Sequence, residues 1–414
     1  CYYCMISDER DEMSINPLIF REYDIRGVVN KDRTAEVARQ IGLGFGTYMR
    51  RSGRKRLSLG RDCRLSSPWL KEALAEGLLS TGCDVLDVGM VTTPLLYFSL
   101  HTCNVDGGVM ITGSHNPPDY NGFKLCQGID PLYGDEIQKV REIIEGQAYE
   151  KGRGSRSAAE IVTPYIKYIK EHIKLARSVK VATDCGNGMA GIVAPRLFRE
   201  LGCQVEELYT EPDGTFPNHH PDPTVAEYLK DLSKTVRSSD IEVGVGFDGD
   251  ADRIGVLDQE GRIIWGDKLL LFLSRDLLKR RPGAKVIFDV KCSQTLEDDI
   301  KKHGGLPLMW KSGHSLIKAK MRSEKALLAG EMSGHIFIAD EYFGFDDAVY
   351  AACTVLRILS ESGESISEML ADLPETFSTP EIRVDCPDEI KFHLVKEISA
   401  HFKEKYRTID IDGV

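Results

Sequence analysis

Lys55-Arg56-Leu57-Ser58-Leu59-Gly60-Arg61-Asp62 begins with basic residues, passes through a short apolar run and closes on an aspartate. Val179-Lys180-Val181-Ala182-Thr183-Asp184 has the same form, as does Ala284-Lys285-Val286-Ile287-Phe288-Asp289. After each comes a helical stretch and then a glycine that opens a second strand. Gly82 precedes 83–88, Gly202 precedes 203–208 and Gly304-Gly305 precedes 306–309. Strand, helix, strand in that order predicts a βαβ unit in a mixed, mostly parallel sheet. Three such units, spaced by roughly a hundred residues, predict three related mixed-sheet α/β domains.

The chain length agrees with that count, since 414 residues at roughly 150 per domain give about three. A hydrophobic fraction of 42% with 28% charged residues is that of a globular protein with sizeable cores. The formal net charge of −11 argues against general nucleic-acid binding, while leaving room for a local basic cleft. No apolar run nears the ~20 residues of a membrane helix. The N-terminal CYYCMISDERDEM is acidic where a signal peptide would be basic and then apolar. A cytoplasmic protein with eleven reduced cysteines is therefore expected. The lone CxxC, Cys1 with Cys4, lacks a second pair that would make it a zinc site.

Composition also suggests boundaries. Lys151-Gly152-Arg153-Gly154-Ser155-Arg156-Ser157 has the make-up of a linker, and Asp258-Gln259-Glu260-Gly261 that of a turn. The expected division is 14–152, 157–257, 258–372 and a short remainder, 373–414. That remainder should hold a strand, a helix near Glu389 to Tyr406 and a second short strand.

Four clusters can carry chemistry. Asp248-Gly249-Asp250-Ala251-Asp252-Arg253 follows the apolar strand 243–247. Three carboxylates at i, i+2 and i+4 repel unless a cation lies between them, and oxygen ligands suit magnesium or calcium. An EF-hand would need glycine and glutamate where Arg253 and Gln259 stand. Thr112-Gly113-Ser114-His115-Asn116-Pro117 puts a serine on a tight turn, a candidate nucleophile, with Lys124 soon after. It is not a hydrolase elbow, which needs glycines at 112 and 116. Gly330-Glu331-Met332-Ser333-Gly334-His335 offers a Glu/Ser pair suited to sugar hydroxyls, with Lys311-Ser312-Gly313-His314-Ser315 upstream. Near the start, Tyr23 can pack on a ring and Arg26 can bind phosphate. Asp184-Cys185-Gly186-Asn187-Gly188 lacks the Walker pattern. Glu211-Pro212-Asp213-Gly214-Thr215 lacks the first aspartate of a haloacid-dehalogenase motif and is read as a loop. A serine, an acidic metal loop, a hydroxyl reader and several cations together suit phosphoryl transfer.

Those stretches resemble the α-D-phosphohexomutase family, most of all its phosphomannomutase/phosphoglucomutase branch. The matching runs are FREYDIRG (20–27), TGSHNPPDYNGFK (112–124), PDGTFPNHHPDP (212–223), GVGFDGDADRIG (244–255), KSGHS (311–315) and GEMSGH (330–335). The resemblance implies three α/β domains around a central cleft, plus part of a C-terminal α+β domain. It implies a cytoplasmic isomerase of carbohydrate metabolism that moves phosphate reversibly between positions 1 and 6 of mannose or glucose phosphate. A phosphoserine and a hexose 1,6-bisphosphate would be its intermediates. Carried onto this chain, Ser114 is the phosphoserine, and it holds Mg²⁺ together with Asp248, Asp250 and Asp252. His115, Lys124 and Arg253 lie beside the transferring group. Glu331 and Ser333 read the sugar, and Tyr23, Arg26, Lys291, His314 and His335 line the cleft. The expected partner is a hexose phosphate, with neither nucleic acid nor membrane, and the expected state is a monomer or weak dimer.

Phosphoglucosamine mutases usually carry Gln at the position of Met332, which makes that activity the alternative. The family's fourth-domain phosphate-binding loop has no counterpart after Ile382. A fragment of a longer protein is the expectation. Were the short form native, a phosphatase, a bisphosphate synthase or an inactive sugar-phosphate binder would be the alternatives.

Overall fold

A computed structural model describes residues 15–32, 34–374, 376, 382 and 384–413. The Cys1–Cys4 pair, the expected domain start at 14, part of the boundary near 373–380 and Val414 lie outside the described residues.

Three sheets follow one another along the chain. The first comprises β1 (Ile25–Val28), β2 (Arg56–Arg61), β3 (Asp84–Met90), β4 (Gly107–Ile111), β5 (Tyr120–Gln127), β6 (Asp130–Pro131) and β7 (Arg156–Ala158). Its helices are α1 (Ala35–Arg51), α2 (Ser67–Ser80), α3 (Thr93–Thr102) and α4 (Asp135–Glu145). After α5 (Val162–His172), the second sheet comprises β8 (Lys180–Asp184), β9 (Gln204–Leu208), β10 (Val243–Phe247), β11 (Ile254–Leu257) and β12 (Ile263–Ile264). It carries α6 (Ala194–Glu200) and α7 (Lys230–Arg237). The third comprises β13 (Lys285–Asp289), β14 (Leu306–Trp310), β15 (Leu328–Gly330) and β16 (Ile336–Ile338). Its helices are α8 (Gly266–Arg280), α9 (Gln294–Lys302), α10 (His314–Glu324), α11 (Ala348–Glu361) and α12 (Ile366–Met369).

One four-strand pattern recurs in all three. The orders β5-β4-β2-β3, β11-β10-β8-β9 and β16-β15-β13-β14 are equivalent, with three parallel strands and an antiparallel fourth at one side. The strand-helix-strand repeats are the two parallel strands at the other side: β2 with β3, β8 with β9, and β13 with β14. The loop from the third strand to the fourth leaves the carboxyl end of a parallel strand, where α/β sheets bind ligands. Those three loops are 112–119, 248–253 and 331–335.

The apolar runs form the core as their pattern predicts. Residues 243–247 are buried throughout, as a strand covered on both faces should be. Helix α3 is buried from Thr93 to Leu100, and its Phe98 packs edge-on against Tyr165 of α5 and against Phe343. One continuous apolar cluster, including Leu95, Phe198, Val256, Leu270 and Leu356, joins all three sheets. The sheets are thus welded rather than strung like beads.

Three local expectations change. The run read as a linker at 151–157 ends in β7, which pairs with the edge of β3. Its backbone groups find partners there, which a free linker would leave to solvent. The turn at 258–261 is the hairpin between β11 and β12, so β12 stays in the second sheet. Among the described residues after 382 there is one helix, α13 (Asp388–Lys405), and no strand. A strand exists only through pairing, and these segments pair with no strand among the described residues.

Candidate active site

Ser114 lies in the first of the three equivalent loops. Its φ of +48° lies in the left-handed region, which costs a non-glycine residue about 1 kcal/mol or more. Three backbone interactions hold the loop there. The Ser114 N–H donates to Thr112 Oγ1 (2.9 Å), Gly113 N–H to Asp62 (3.1 Å) and Asn116 Nδ2 to the Gly113 carbonyl (2.9 Å). The hydroxyl is buried, donates to Asp248 Oδ2 at 2.8 Å and lies 3.2 Å from His115 Nδ1. Burial and the charges of Arg253 and Arg26 push the His115 imidazole down to about 2, so it is neutral at pH 7.

The second loop brings Asp248, Asp250 and Asp252, all fully buried, with one carboxylate oxygen of each within 4.8 Å of the others. Asp248 Oδ1 accepts the backbone N–H groups of Asp252 and Arg253. Asp250 Oδ2 accepts from Thr93 Oγ1 (2.6 Å) at the start of α3 and from Lys124 Nζ (2.9 Å). Lys124 also reaches Asp252 Oδ2 at 2.5 Å. Burial and the neighbouring carboxylates of Asp252 and Asp250 raise Asp248 well above the usual range. Burial would raise Asp250 too, but Lys124 and Thr93 hold it below that range. For Lys124, burial favours the neutral amine, but Asp250, Asp252 and Asp346 outweigh it and keep the cation. Asp250 Oδ1 and Asp252 Oδ1 are buried without a hydrogen-bond partner. Buried carboxylate oxygens without hydrogen-bond partners, in a group of three carboxylates this close, fit a hard divalent cation, so the donor set suits a metal.

The third loop carries Glu331, Ser333 and His335. A short antiparallel bridge pairs His335 with Arg253, and Ile254 N–H donates to the Gly334 carbonyl (3.0 Å). A side chain at Gly334, whose φ is +88°, would strike the Ile254 carbonyl. Arg253 Nε donates to His335 Nε2 at 3.0 Å. Since arginine can only donate, the imidazole hydrogen sits on Nδ1, which faces Asp346 Oδ2 at 3.3 Å. Asp346 is buried between His335, His314 (3.6 Å) and Lys318 (2.6 Å). Lys318 in turn lies over the Tyr97 ring. Glu331 accepts from Gly313 N–H at 2.5 Å, and burial raises its carboxyl above the usual range. Tyr23 donates to the Ser312 carbonyl (3.1 Å), and burial, then Asp412, pushes its hydroxyl up to about 12. Its ring centroid stands 6.2 Å from that of His314. Arg26, on β1, holds Asp24. Ser333 is half-buried on the turn after Glu331, and Lys291 is exposed just beyond β13.

Ser114, His115, Lys124, Arg253, His335 and the three aspartates are thus brought into one connected cluster. Tyr23, His314 and Glu331 meet around Ser312 and Gly313, next to it. The Arg26 charge reaches His115 from β1.

Sequence reasoning passed over Arg64, Thr93, Lys318 and Asp346. It also gave no role to the three closing aspartates, which were quoted only as strand ends. Asp62 holds Gly113; Asp184 holds Gly186 and His219; Asp289 holds Met332 N–H (3.0 Å) and Ser312 (2.8 Å). An equivalent residue organises a nearby loop in each unit. Its repetition was the signal that could have revealed it.

Three α/β units meeting at a serine, a carboxylate cluster and a polar turn define an α/β protein of the phosphotransfer kind. Sequence models of phosphoglucomutase/phosphomannomutase α/β/α domains I, II and III match residues 17–151, 163–261 and 265–377. The phosphomannomutase/phosphoglucomutase of Pseudomonas putida is 48% identical over 96% of this chain and 86% of its own. The phosphoglucomutase of Neisseria gonorrhoeae is 47% identical over 97% and 88%. A crystal structure of a phosphoglucomutase/phosphomannomutase family protein from Burkholderia thailandensis superposes with a TM-score of 0.90. It is 44% identical and covers 96% of this chain and 88% of that one. The chain belongs to the phosphoglucomutase/phosphomannomutase family of α-D-phosphohexomutases.

Proposed function

We propose that this chain is a Mg²⁺-dependent phosphomannomutase/phosphoglucomutase, an isomerase that interconverts the 1- and 6-phosphates of mannose and of glucose. The observation that carries this reading is the Ser114 hydroxyl at 2.8 Å from a buried three-carboxylate cluster. The names of the Pseudomonas and Neisseria relatives support the substrate class.

In this reading phosphorylated Ser114 is the donor. A free hydroxyl of the hexose phosphate attacks phosphorus as the bond from phosphorus to Ser114 Oγ breaks, and the proton it gives up is balanced by the one the departing Oγ takes, which regenerates the serine hydroxyl. The hexose 1,6-bisphosphate then turns round and returns its other phosphate to Ser114, which completes the isomerisation. Asp248, Asp250, Asp252 and the Ser114 phosphate would hold Mg²⁺, which supplies charge neutralisation at the transferring group. Lys124 and Arg253 bring fixed cations to the same spot, so charge spread over the phosphoryl oxygens meets donors already in place. Neutral His115 packs beside Ser114 without adding a competing cation. Glu331 and Ser333 bind adjacent sugar hydroxyls, and Tyr23, Arg26, Lys291, His314 and His335 line the cleft. A cytoplasmic setting fits the nine unpaired cysteines among the described residues.

A coupled assay on glucose 1-phosphate, mannose 1-phosphate and glucosamine 1-phosphate, with and without Mg²⁺, tests the reading. Turnover of the first two with Mg²⁺ is expected, and Ser114→Ala should lower it on the order of a thousandfold or more. Undiminished turnover in Ser114→Ala would overturn the nucleophile, and preference for glucosamine 1-phosphate would overturn the substrate.

A further inference from the structure

We infer that Arg64 is a positioning residue for the nucleophile loop, setting the geometry of Ser114 through its backbone while touching no substrate. The inference rests on the proposed role of Ser114. Arg64 has no solvent exposure, although arginine is seldom fully buried. Its four terminal N–H groups are all spent on backbone carbonyls, and its Nε makes an ion pair without a hydrogen bond. Nη2 donates to the carbonyls of Ser114 (2.8 Å) and Asn116 (2.6 Å), and Nη1 to those of Pro117 (2.5 Å) and Tyr120 (3.0 Å). Nε faces Asp62 Oδ2 at 3.3 Å. The same Asp62 carboxylate accepts Gly113 N–H (3.1 Å). The residues on both sides of the serine are therefore tied to a single Asp62–Arg64 pair.

The fit leaves no slack. A side chain at Gly113 would lie 2.4 Å from the guanidinium carbon, so only glycine lets the arginine pass under the loop. From the other side comes the 212–223 loop, which had no functional assignment. Phe216 covers the guanidinium with its centroid 5.1 Å away, and a side chain at Gly214 would strike Arg64 Cα. His220 of the same loop also binds the His115 carbonyl through Nε2.

A planar fork can hold four divergent carbonyls through its two terminal nitrogens while its charge pairs with one carboxylate, whereas an ammonium has three donors at one point. The clamp holds Ser114 in its left-handed conformation, which aims the hydroxyl at the aspartate cluster. A displacement near 1 Å at such a group costs roughly a hundredfold in rate.

The test compares the parent with Arg64→Lys, which keeps the charge but not the fork. Steady-state kinetics, thermal midpoint and amide hydrogen exchange of peptides covering 112–120 are measured. Expected are a kcat lowered about tenfold or more, a KM for hexose phosphate within about threefold, and faster exchange confined to 112–120. A folded Arg64→Lys with kcat within about twofold of the parent and unchanged local exchange overturns the inference. If Arg64→Lys does not fold, Phe216→Leu gives the same comparison with smaller amplitude, and an unchanged kcat and local exchange there count against the clamp. A parent without mutase activity would overturn the function instead, and the exchange data would still judge the clamp.

Discussion

Single atoms decide whether the serine meets its carboxylates. A side chain at Gly249 would lie 2.4 Å from the Ser114 carbonyl oxygen and 3.5 Å from Pro221. Gly249→Ala should therefore push the serine loop off the acidic loop, lowering kcat about a hundredfold with a thermal midpoint within a few degrees of the parent. Kinetics beside a melting curve check this, and an undiminished kcat would mean that the two loops slide freely. Most of the charged participants are legible at this scale, because carboxylates at i, i+2 and i+4 have few other uses. Arg64 and Asp346 are not. Their meaning depends on carbonyls and imidazoles far off in the chain, and neither a buried arginine nor a buried aspartate differs from a surface one in a one-dimensional string.

Helix α11 shows how an element carries its own titration. Asp347 caps it by accepting Tyr350 N–H, and also accepts the hydroxyls of Tyr165 and Tyr342. Burial raises its carboxyl to about 6, although those hydrogen bonds pull the other way. The folded state thus binds this proton more readily than the unfolded chain does. The contribution to stability is fully present below pH ~4 and is lost as pH rises through about 6. Relative to the parent, Asp347→Asn should gain up to about 3 kcal/mol between pH 4 and pH 7, read from denaturant unfolding at each pH. A flat difference would show that Asp347 does not titrate there. Strand and helix runs of the repeats were legible because period and punctuation are local. The antiparallel fourth strands were harder to see: β11 and β16 are short, and their partner is chosen by the sheet. β7 hid in a Gly/Ser-rich run for the same reason, since an edge strand needs a neighbour more than it needs a pattern.

Across the whole molecule, each sheet contributes one loop, and the continuous apolar core together with the polar contacts between the loops brings the three together. A divalent ion held by Asp248, Asp250 and Asp252 should consequently stabilise the assembly and not just one loop. At a hundredfold excess over its dissociation constant, Mg²⁺ should add about 2.7 kcal/mol, seen as a higher melting midpoint in one transition and reversed by chelation. Asp250→Asn should erase that shift. A rise of equal size in that variant would mean that the ion binds elsewhere. The three-unit plan was legible from the closing aspartates, but their work in organising neighbouring loops was not, because it depends on where the sheets lie in space.

The equivalent loops lie far apart in the chain, and the ribosome delivers them in order. Ser114 emerges first, then the carboxylates at 248–252, and His335 last. At 5–20 residues per second, on the order of tens of seconds separate the serine from the final loop. Lys124 follows the serine within ten residues, but Asp248 and Arg253 come only with the second loop and His335 only with the third, so the serine's full set of partners is complete last of all. The order of the sequence therefore sets the order in which the site is assembled.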